Sequence, residues 1–254
     1  MSIQSFQELV EVMARLRGDD GCPWDREQTH TTLRPFLLEE TYEVLEALDR
    51  NDDTELKEEL GDLLLQIVFH ARVAEERNAF DIDDVIQGIH RKLIRRHPHV
   101  FGSVRIDSAE EQRVHWEGLK QQEGKTSVVD GVPEILPSLL RAHRVQQKAS
   151  TVGFDWETAE QVWKKVEEEL SELESAVQQG EQEQIEEEFG DLLFALVNLS
   201  RFLNLNPEDA LRNAVRKFIR RFQKVESAMR AEGKALQDAT LEEMDAVWNR
   251  IKQE

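Results

Sequence analysis

Apolar residues recur at intervals of three and four along most of the chain, which is the spacing of one face of an α-helix. The segment SFQELVEVMARLRG follows this spacing from Phe6 to Leu16, and ELKEELGDLLLQIVFHARVAEER is strongly apolar on one side. The segment DDVIQGIHRKLIRR predicts another helix that ends near Pro98, because proline cannot continue a helical hydrogen-bond ladder. No segment shows the strict alternation of a strand, so the pattern predicts an all-α fold.

The second half of the chain repeats the pattern of the first half. EEEFGDLLFALVNLSRF corresponds to EELGDLLLQIVFHARV, AVRKFIRRF corresponds to IHRKLIRRH, and VGFDW corresponds to GCPWD. Each half therefore predicts a bundle of about four helices, and together they predict two tandem helical repeats. We predict domains at residues 1–120 and 138–254, joined by a linker at 121–137 that contains two glycines and two prolines.

An acidic motif occurs once in each repeat at identical spacing. Glu39, Glu40 and Glu43 are followed by Glu59 and Asp62, and the second copy consists of Glu168, Glu169, Glu172, Glu188 and Asp191. The distances from Glu40 to Glu59 and from Glu169 to Glu188 are both 19 positions. Within each pair the two acids are three residues apart, so both carboxylates lie on one face of a helix.

Acidic residues on helices usually form a solvated face, but a solvated face needs no fixed register across a loop. Asp62 and Asp191 each precede a very apolar stretch, where an aspartate is costly unless it is paired or binds a cation. Hard divalent ions take oxygen ligands of this kind. The motif therefore predicts a site for Mg²⁺, with Mn²⁺ as an alternative, and Mg²⁺ in turn suggests a phosphate-bearing substrate.

Basic residues form a second repeated pattern. Lys217 and Arg221 are four residues apart in KFIRR, and Lys92 and Arg96 are four apart in KLIRR. They predict either a cationic clamp for phosphate oxygens or an ordinary helix surface that pairs with the acidic helices. Trp248 lies in EEMDAVWNRIK and is either an anchor of an amphipathic helix or a residue that stacks on a base or ribose.

The two repeats differ at two positions beside the acids. One turn before Glu169 the second repeat has Lys165, where the first repeat has Phe36. Two turns after Asp191 it has Asn198, where the first repeat has Phe69. Since a triphosphate carries more negative charge than one Mg²⁺ offsets, nearby cations and polar groups matter. We therefore predict that the second repeat holds the working site.

Composition narrows the classes of partner. The chain of 254 residues has a formal net charge of −20, which opposes binding to a nucleic-acid polymer or an anionic membrane. Free nucleotides remain compatible because a bound metal inverts the local charge. The single cysteine, Cys22, excludes an intrachain disulfide and favours a reducing compartment. The N-terminal segment lacks the pattern of a signal peptide, so we expect a cytoplasmic protein.

The sequence resembles the MazG family of nucleoside triphosphate pyrophosphohydrolases in the tandem two-domain form. The resemblance rests on EETYE with EELGD, EEELSE with EEEFGD, the KFIRR block and the Trp248 helix. It implies all-α domains that pair with another bundle, usually through a homodimer. It also implies Mg²⁺-dependent hydrolysis of NTPs and dNTPs, ATP included, to the monophosphate and pyrophosphate.

The resemblance carries over to individual positions of this chain. It implies that the metal ligands are Glu169, Glu172, Glu188 and Asp191, with Glu168 as a further catalytic residue that orients or deprotonates the attacking water. It implies that the nucleotide contacts are Lys165, Glu168, Lys217, Arg221 and Trp248, and the polar Asn198, two turns past Asp191, is a further predicted contact. A second site in the first repeat would consist of Glu40, Glu43, Glu59, Asp62, Lys92 and Arg96. Phe36 and Phe69 depart from the family pattern, so the first repeat is expected to be structural or weakly active.

Two alternatives remain open from the sequence. One is a pyrophosphatase of narrow substrate specificity, acting on dUTP or on a damaged nucleotide. It stays open because the residues that would contact the base are too few and too generic to predict the specificity. The other is a helical interaction protein that uses the metal for structure and catalyses nothing.

Overall fold

A computed structural model of the protein describes residues 3–105, 108 and 126–252. These residues form eleven α-helices and one 3₁₀ turn, and the described part of the chain contains no β-strand. The predicted all-α fold is therefore confirmed. No helix in the described part is both long and apolar enough to cross a bilayer. The chain divides into two compact units, Met1–Ile106 and Asp107–Glu254.

The first unit contains six helices. They are α1 (Ile3–Leu16), α2 (Pro23–Glu27), α3 (Arg34–Arg50), α4 (Asp53–Glu75), α5 (Ile82–Arg96) and α6 (Pro98–Phe101). Helices α3 and α4 form an antiparallel hairpin that carries the first acidic motif, and α1 and α5 pack against α4. Helix α5 ends directly before His97 and Pro98, as the proline predicts.

The second unit contains five helices. They are α7 (Ser138–Ser150), α8 (Ala159–Gln179), α9 (Gln182–Phe202), α10 (Pro207–Ala231) and α11 (Leu241–Lys252), with a 3₁₀ turn at Leu236–Asp238. Helices α8 and α9 form the hairpin that carries the second acidic motif, and α7 packs on α9. Helix α10 contacts both α7 and α11.

Local sequence signals close both acidic hairpins. Asn51 caps the C-terminus of α3 and Gly180 caps that of α8, both in the left-handed region with φ of 53° and 77°. Asparagine and glycine are the residues that tolerate this conformation best. Asp52 then begins α4, because its carboxylate accepts hydrogen bonds from the backbone N–H groups of Thr54 and Glu55. The short turns fix the register that places the two acid pairs side by side.

The hydrophobic cores lie behind these hairpins. In the first unit the core consists of Met13, Leu33, Val68, Phe69 and Val73, with Phe36 among the side chains packed against it. In the second unit one core consists of Val162, Val166, Ala195 and Leu199. A separate small core joins α10 to α11 through Val225, Met229 and Val247.

Each acidic hairpin also leaves one apolar stripe uncovered. On α4 the stripe consists of Leu60, Leu64 and Ile67, which are 48%, 37% and 43% exposed. On α9 it consists of Phe189, Leu193 and Leu196, at the equivalent positions and 53%, 40% and 43% exposed. Exposed apolar side chains that recur at i, i+4 and i+7 are typical of a helix face that packs against another helix.

The predicted linker, 121–137, falls partly outside the described residues, since its first five positions are not among them. The described remainder is turn and loop up to α7. Asp130 accepts hydrogen bonds from the backbone N–H groups of Thr126 and Ser127, and Lys148 donates to the carbonyl of Val128. The predicted boundaries at residues 120 and 138 stay a prediction.

Candidate functional site

Three carboxylates meet at each acidic hairpin. In the first unit Glu40, Glu43 and Glu59 each offer an oxygen within 4.8 Å of the other two. In the second unit the same holds for Glu169, Glu172 and Glu188. The first two acids of each group come from one helix and the third from its hairpin partner, as the spacing predicts. Asp62 and Asp191 lie outside these groups, although Asp62 is close enough to Glu40 to act on its charge.

Burial and the neighbouring negative charges raise the pKa of several of these carboxyl groups. Burial raises the pKa of Glu40, and the charges of Asp62 and Glu43 raise it further. Desolvation likewise raises the pKa of Glu59, with Glu43 adding to it. In the second unit desolvation and the charge of Glu169 raise the pKa of Glu172. Both groups therefore favour a bound cation, which would relieve the repulsion between the carboxylates.

The oxygens fit a small divalent ion. Mg²⁺ holds its oxygen ligands at about 2.1 Å, so ligands on opposite sides of the ion are about 4.2 Å apart. Oxygens that already lie within 4.8 Å of one another reach this geometry through small side-chain rotations. Three carboxylates leave coordination positions for phosphate oxygens and water, which is the usual arrangement for Mg²⁺ in nucleotide enzymes.

Lys165 lies directly against the second group of acids. Its ammonium is 2.5 Å from an oxygen of Glu168 and 2.7 Å from an oxygen of Glu169. These hydrogen bonds, first that to Glu168, raise the pKa of Lys165 above its usual value. Glu169 is only 6% exposed, so its charge needs this partner or a metal. Glu168 lies outside the three-acid group, and its carboxylate pairs with Lys165.

A cavity of about 540 Å³ opens beside these acids in the second unit. Lys165, Glu169 and Asp191 line one part of it. Phe154, Trp156, Phe194, Asn198 and Arg201 are among the residues that line the remainder. The cavity thus brings together charged groups that suit phosphates and aromatic surface that suits a planar ring.

The equivalent space in the first unit is filled by phenylalanines. Phe69, at the position of Asn198, is 3% exposed and belongs to the core. Phe36, at the position of Lys165, packs against the same core, and its ring meets the edge of Trp24 at 5.8 Å. The guanidinium of Arg17 lies 5.4 Å from the Phe69 ring centroid. The two substitutions therefore convert a polar wall into packed hydrophobic interior.

The other predicted residues lie elsewhere. Lys217 and Arg221 are on α10 and are not among the residues that line the cavity. Trp248 packs in the small core of α10 and α11, with its ring 5.3 Å from that of Phe218, which is the anchor role that its helix also predicts. On α5 of the first unit, Lys92 is exposed and Arg96 is buried. Nucleotide contacts by these residues stay predictions.

The structure also adds a pair of residues that the sequence did not indicate. Arg201 and Asp155 form an ion pair of 2.6 Å on the cavity wall. Arg201 is one turn after Asn198 on α9, a spacing that places both on one helix face and was a usable signal. Asp155 belongs to the segment VGFDW. The periodicity of apolar residues does not predict that this segment packs against α9.

Comparison with known proteins relates nearly the whole chain to nucleotide pyrophosphohydrolases. The model of the MazG nucleotide pyrophosphohydrolase domain matches the chain twice, at residues 28–101 and 157–226. A nucleoside triphosphate pyrophosphohydrolase/pyrophosphatase MazG of Thermotoga maritima is 51% identical over 250 residues, which covers 97% of this chain and 95% of the relative. A nucleoside triphosphate pyrophosphohydrolase of Escherichia coli K12 is 44% identical over 259 residues, covering 99% of this chain and 98% of the relative.

A third relative, the uncharacterised protein YabN of Bacillus subtilis, is 45% identical over 252 residues. This match covers 98% of the present chain and 52% of YabN. The acidic hairpins of both units, at Glu40–Asp62 and Glu169–Asp191, fall within the two matched regions. The chain therefore belongs to the MazG family of nucleotide pyrophosphohydrolases.

Proposed function

We propose that the protein hydrolyses nucleoside triphosphates and deoxynucleoside triphosphates to the monophosphate and pyrophosphate, with Mg²⁺ as cofactor. As a family member it is a hydrolase of phosphoric anhydrides. The observation that carries the proposal is the second unit's combination of three converging carboxylates, Lys165 and an adjoining aromatic-lined cavity. We assign the activity to this unit, because in the first unit Phe36 and Phe69 occupy the corresponding space.

The metal would be held by Glu169, Glu172 and Glu188, and we also assign Asp191, which lines the same cavity as Glu169, as a ligand. When bound, Mg²⁺ supplies Lewis-acid stabilisation of the charge that develops on the phosphate oxygens. Mn²⁺ has similar oxygen preferences and is the alternative ion.

The chain's own side chains supply the remaining steps. Glu168 is not among the proposed ligands and is exposed, so it can orient the attacking water and accept its proton. Lys165 is already positioned at the acids and can donate to a phosphate oxygen as charge develops. We assign Lys217 and Arg221 to the departing pyrophosphate, whose developing charge they would neutralise. No covalent intermediate is required.

We further propose that the protein is a homodimer. The uncovered stripes on α4 and α9 are apolar, equivalent in position and substantially exposed, and a second copy can cover them. Sedimentation equilibrium at micromolar concentration should give about twice the chain mass of 29.5 kDa. A mass near that of one chain would contradict this part of the proposal.

The single cysteine fits a cytoplasmic location, which we include in the proposal.

The central test is product identification. Purified protein is incubated with Mg²⁺ and a panel of NTPs and dNTPs, dUTP included, and the products are resolved by ³¹P NMR. Monophosphate with pyrophosphate supports the proposal, whereas diphosphate with orthophosphate contradicts it. Turnover of a single nucleotide would favour the narrow-range alternative, and no turnover with retained metal binding would favour the interaction protein.

A further inference from the structure

A chain of hydrogen bonds crosses the wall of the cavity in the second unit. The guanidinium of Arg201 donates through Nη2 to Asp155 Oδ2 at 2.6 Å, and through Nη1 to Asn198 Oδ1 at 2.6 Å. The side chain of Arg201 is 12% exposed and that of Asp155 is 25% exposed. A charge-assisted pair with this degree of shielding holds its geometry better than an exposed pair.

This arrangement fixes the orientation of the Asn198 amide. An arginine can only donate hydrogen bonds, so the amide atom that faces it must be the oxygen. The amide nitrogen with its two N–H donors is therefore the other atom, and the described part of the chain supplies no acceptor for it. Since Asn198 lines the cavity, these donors are available to whatever occupies it.

Asp155 connects the same network to the aromatic side of the cavity. Its Oδ1 accepts a hydrogen bond from the backbone N–H of Trp156 at 3.0 Å. Phe154 and Trp156 both line the cavity and are 83% and 45% exposed. Asp155 thus ties the loop that carries these two rings to Arg201, and through it to Asn198.

The position of Asn198 suits a nucleotide base. It lies seven residues beyond Asp191 on α9, which is about 10 Å along the helix axis. That separation is comparable to the reach from a phosphate bound at the acids to the far edge of its base. With phosphates near Lys165 and the acids, the base would lie among Phe154, Trp156 and Phe194, and a donor at Asn198 would meet its edge.

We propose that Arg201 and Asp155 are positioning residues that hold the Asn198 amide as a hydrogen-bond donor to a carbonyl oxygen of the base. The inference rests on the proposed function and names its substrate class, nucleoside triphosphates whose base carries such a carbonyl. ATP and ITP are a matched pair, because ITP has a carbonyl where ATP has an amino group. The site should favour ITP by about 2- to 12-fold in kcat/KM, the worth of one neutral hydrogen bond.

The experiment compares variants across this substrate pair. Arg201→Met removes both donors, and Asn198→Asp keeps the size and the arginine contact but removes the amide donors. Both should raise the KM for ITP by about 2- to 12-fold and leave kcat within twofold. Arg201→Met should bring the ITP/ATP ratio close to one, and Asn198→Asp should bring it to one or below, because a carboxylate accepts from the amino group of ATP. The control is Arg72→Met at the equivalent position of the first unit, where Arg72 pairs with Glu75 and Glu76 instead. It should leave the ratio unchanged.

Three results would overturn the inference. The first is wild-type protein with equal kcat/KM for ATP and ITP. The second is a loss in Arg201→Met and Asn198→Asp that is the same for both nucleotides, which would make the network merely structural. The third is a fall in kcat at constant KM. Circular dichroism verifies folding, and Asn198→Asp decides the matter if Arg201→Met does not fold. Failure of the proposed function is distinguishable, because wild-type protein would then release no pyrophosphate from either nucleotide.

Discussion

The two acidic hairpins share a framework of three carboxylates that could hold a metal ion, and they differ in the residues beside it. Both units bring three carboxylates within 4.8 Å of one another, so the framework depends on helix register alone. What differs is the wall beside it. In the second unit Lys165 and Asn198 line an open cavity, whereas in the first unit Phe69 is buried in the core and the partly buried Phe36 packs against it. These two positions are the basis of our proposal that the second hairpin serves chemistry and the first serves packing.

The largest difference between the two units should appear when one proposed metal ligand is removed from each hairpin. Glu172→Ala should lower kcat by about 10²- to 10⁴-fold, since the ion contributes several kcal/mol of stabilisation to the developing charge. The matched variant Glu43→Ala should retain nearly full activity. Steady-state pyrophosphate release measures both, and Asp191→Ala should behave as Glu172→Ala does. If Glu43→Ala is inactive and Glu172→Ala is active, the assignment is reversed, and half activity in each would mean that both sites work.

For stability, in contrast to activity, we expect the side chain at position 69 of the first unit to matter most. Phe69→Ala should lower the free energy of unfolding by about 3–5 kcal/mol, as large-to-small changes of buried phenylalanines do, because Phe69 is 3% exposed. Phe101→Ala is the control, since Phe101 is 62% exposed and should change it by less than about 1 kcal/mol. Urea unfolding measures both. Loss of hydrolysis in folded Phe69→Ala protein would show that the first unit contributes to turnover.

Lys165→Met tests the cation that distinguishes the second unit. Loss of one charged hydrogen bond to phosphate should raise the KM for triphosphates by about 10- to 150-fold. Lys164→Met is the neighbouring control, because Lys164 is exposed and is not among the residues that line the cavity. A KM for Lys165→Met equal to that of Lys164→Met would mean that Lys165 serves only to offset the charge of the carboxylates.

The smallest effect concerns pH and the first unit. His30 and His70 lie with their Nδ1 atoms 2.8 Å apart, and Arg77 donates to Nε2 of His30. His30 must therefore donate through Nδ1 to His70. Burial lowers the pKa of His70 from 6.5, and the charge of His30 lowers it further.

A histidine whose pKa is lowered on folding stabilises the fold above its unfolded pKa, and this stability is lost as pH falls through the folded pKa. The melting temperature should therefore decrease between pH 7.5 and pH 5. His70→Leu should flatten this dependence, because leucine, the residue at the equivalent position 199, does not titrate. An unchanged pH profile in His70→Leu would contradict the interpretation.

The sequence predicted those features that depend on helical periodicity. The apolar spacing indicated the long helices, and Pro98 indicated the end of α5. The i,i+3 pairs with equal spacing across a short turn predicted that Glu169, Glu172, Glu188 and Asp191 would converge, and the structure brings the first three of them together. Phe36 and Phe69 indicated a filled wall because aromatic side chains at core-facing positions become buried.

The features that escaped prediction depend on contacts between elements. Asp155 lies in an irregular segment, and its ion pair with Arg201 exists only because that segment folds back onto α9. Asp62 and Asp191 share a helix face with Glu59 and Glu188, yet whether their oxygens join the other three depends on rotamers and helix separation. Trp248 has the same sequence context in either of its predicted roles, and only packing distinguishes them.

The position of Lys165 couples the binding of the metal to the binding of the nucleotide. Its ammonium is bound to Glu169, so a divalent ion that binds Glu169 in the absence of nucleotide would have to displace a favourable partner. When a triphosphate arrives with the metal, the displaced ammonium gains phosphate oxygens in exchange. Metal and nucleotide should therefore raise each other's affinity by the same factor. In the first unit Phe36 replaces this lysine, and metal binding there should be independent of nucleotide.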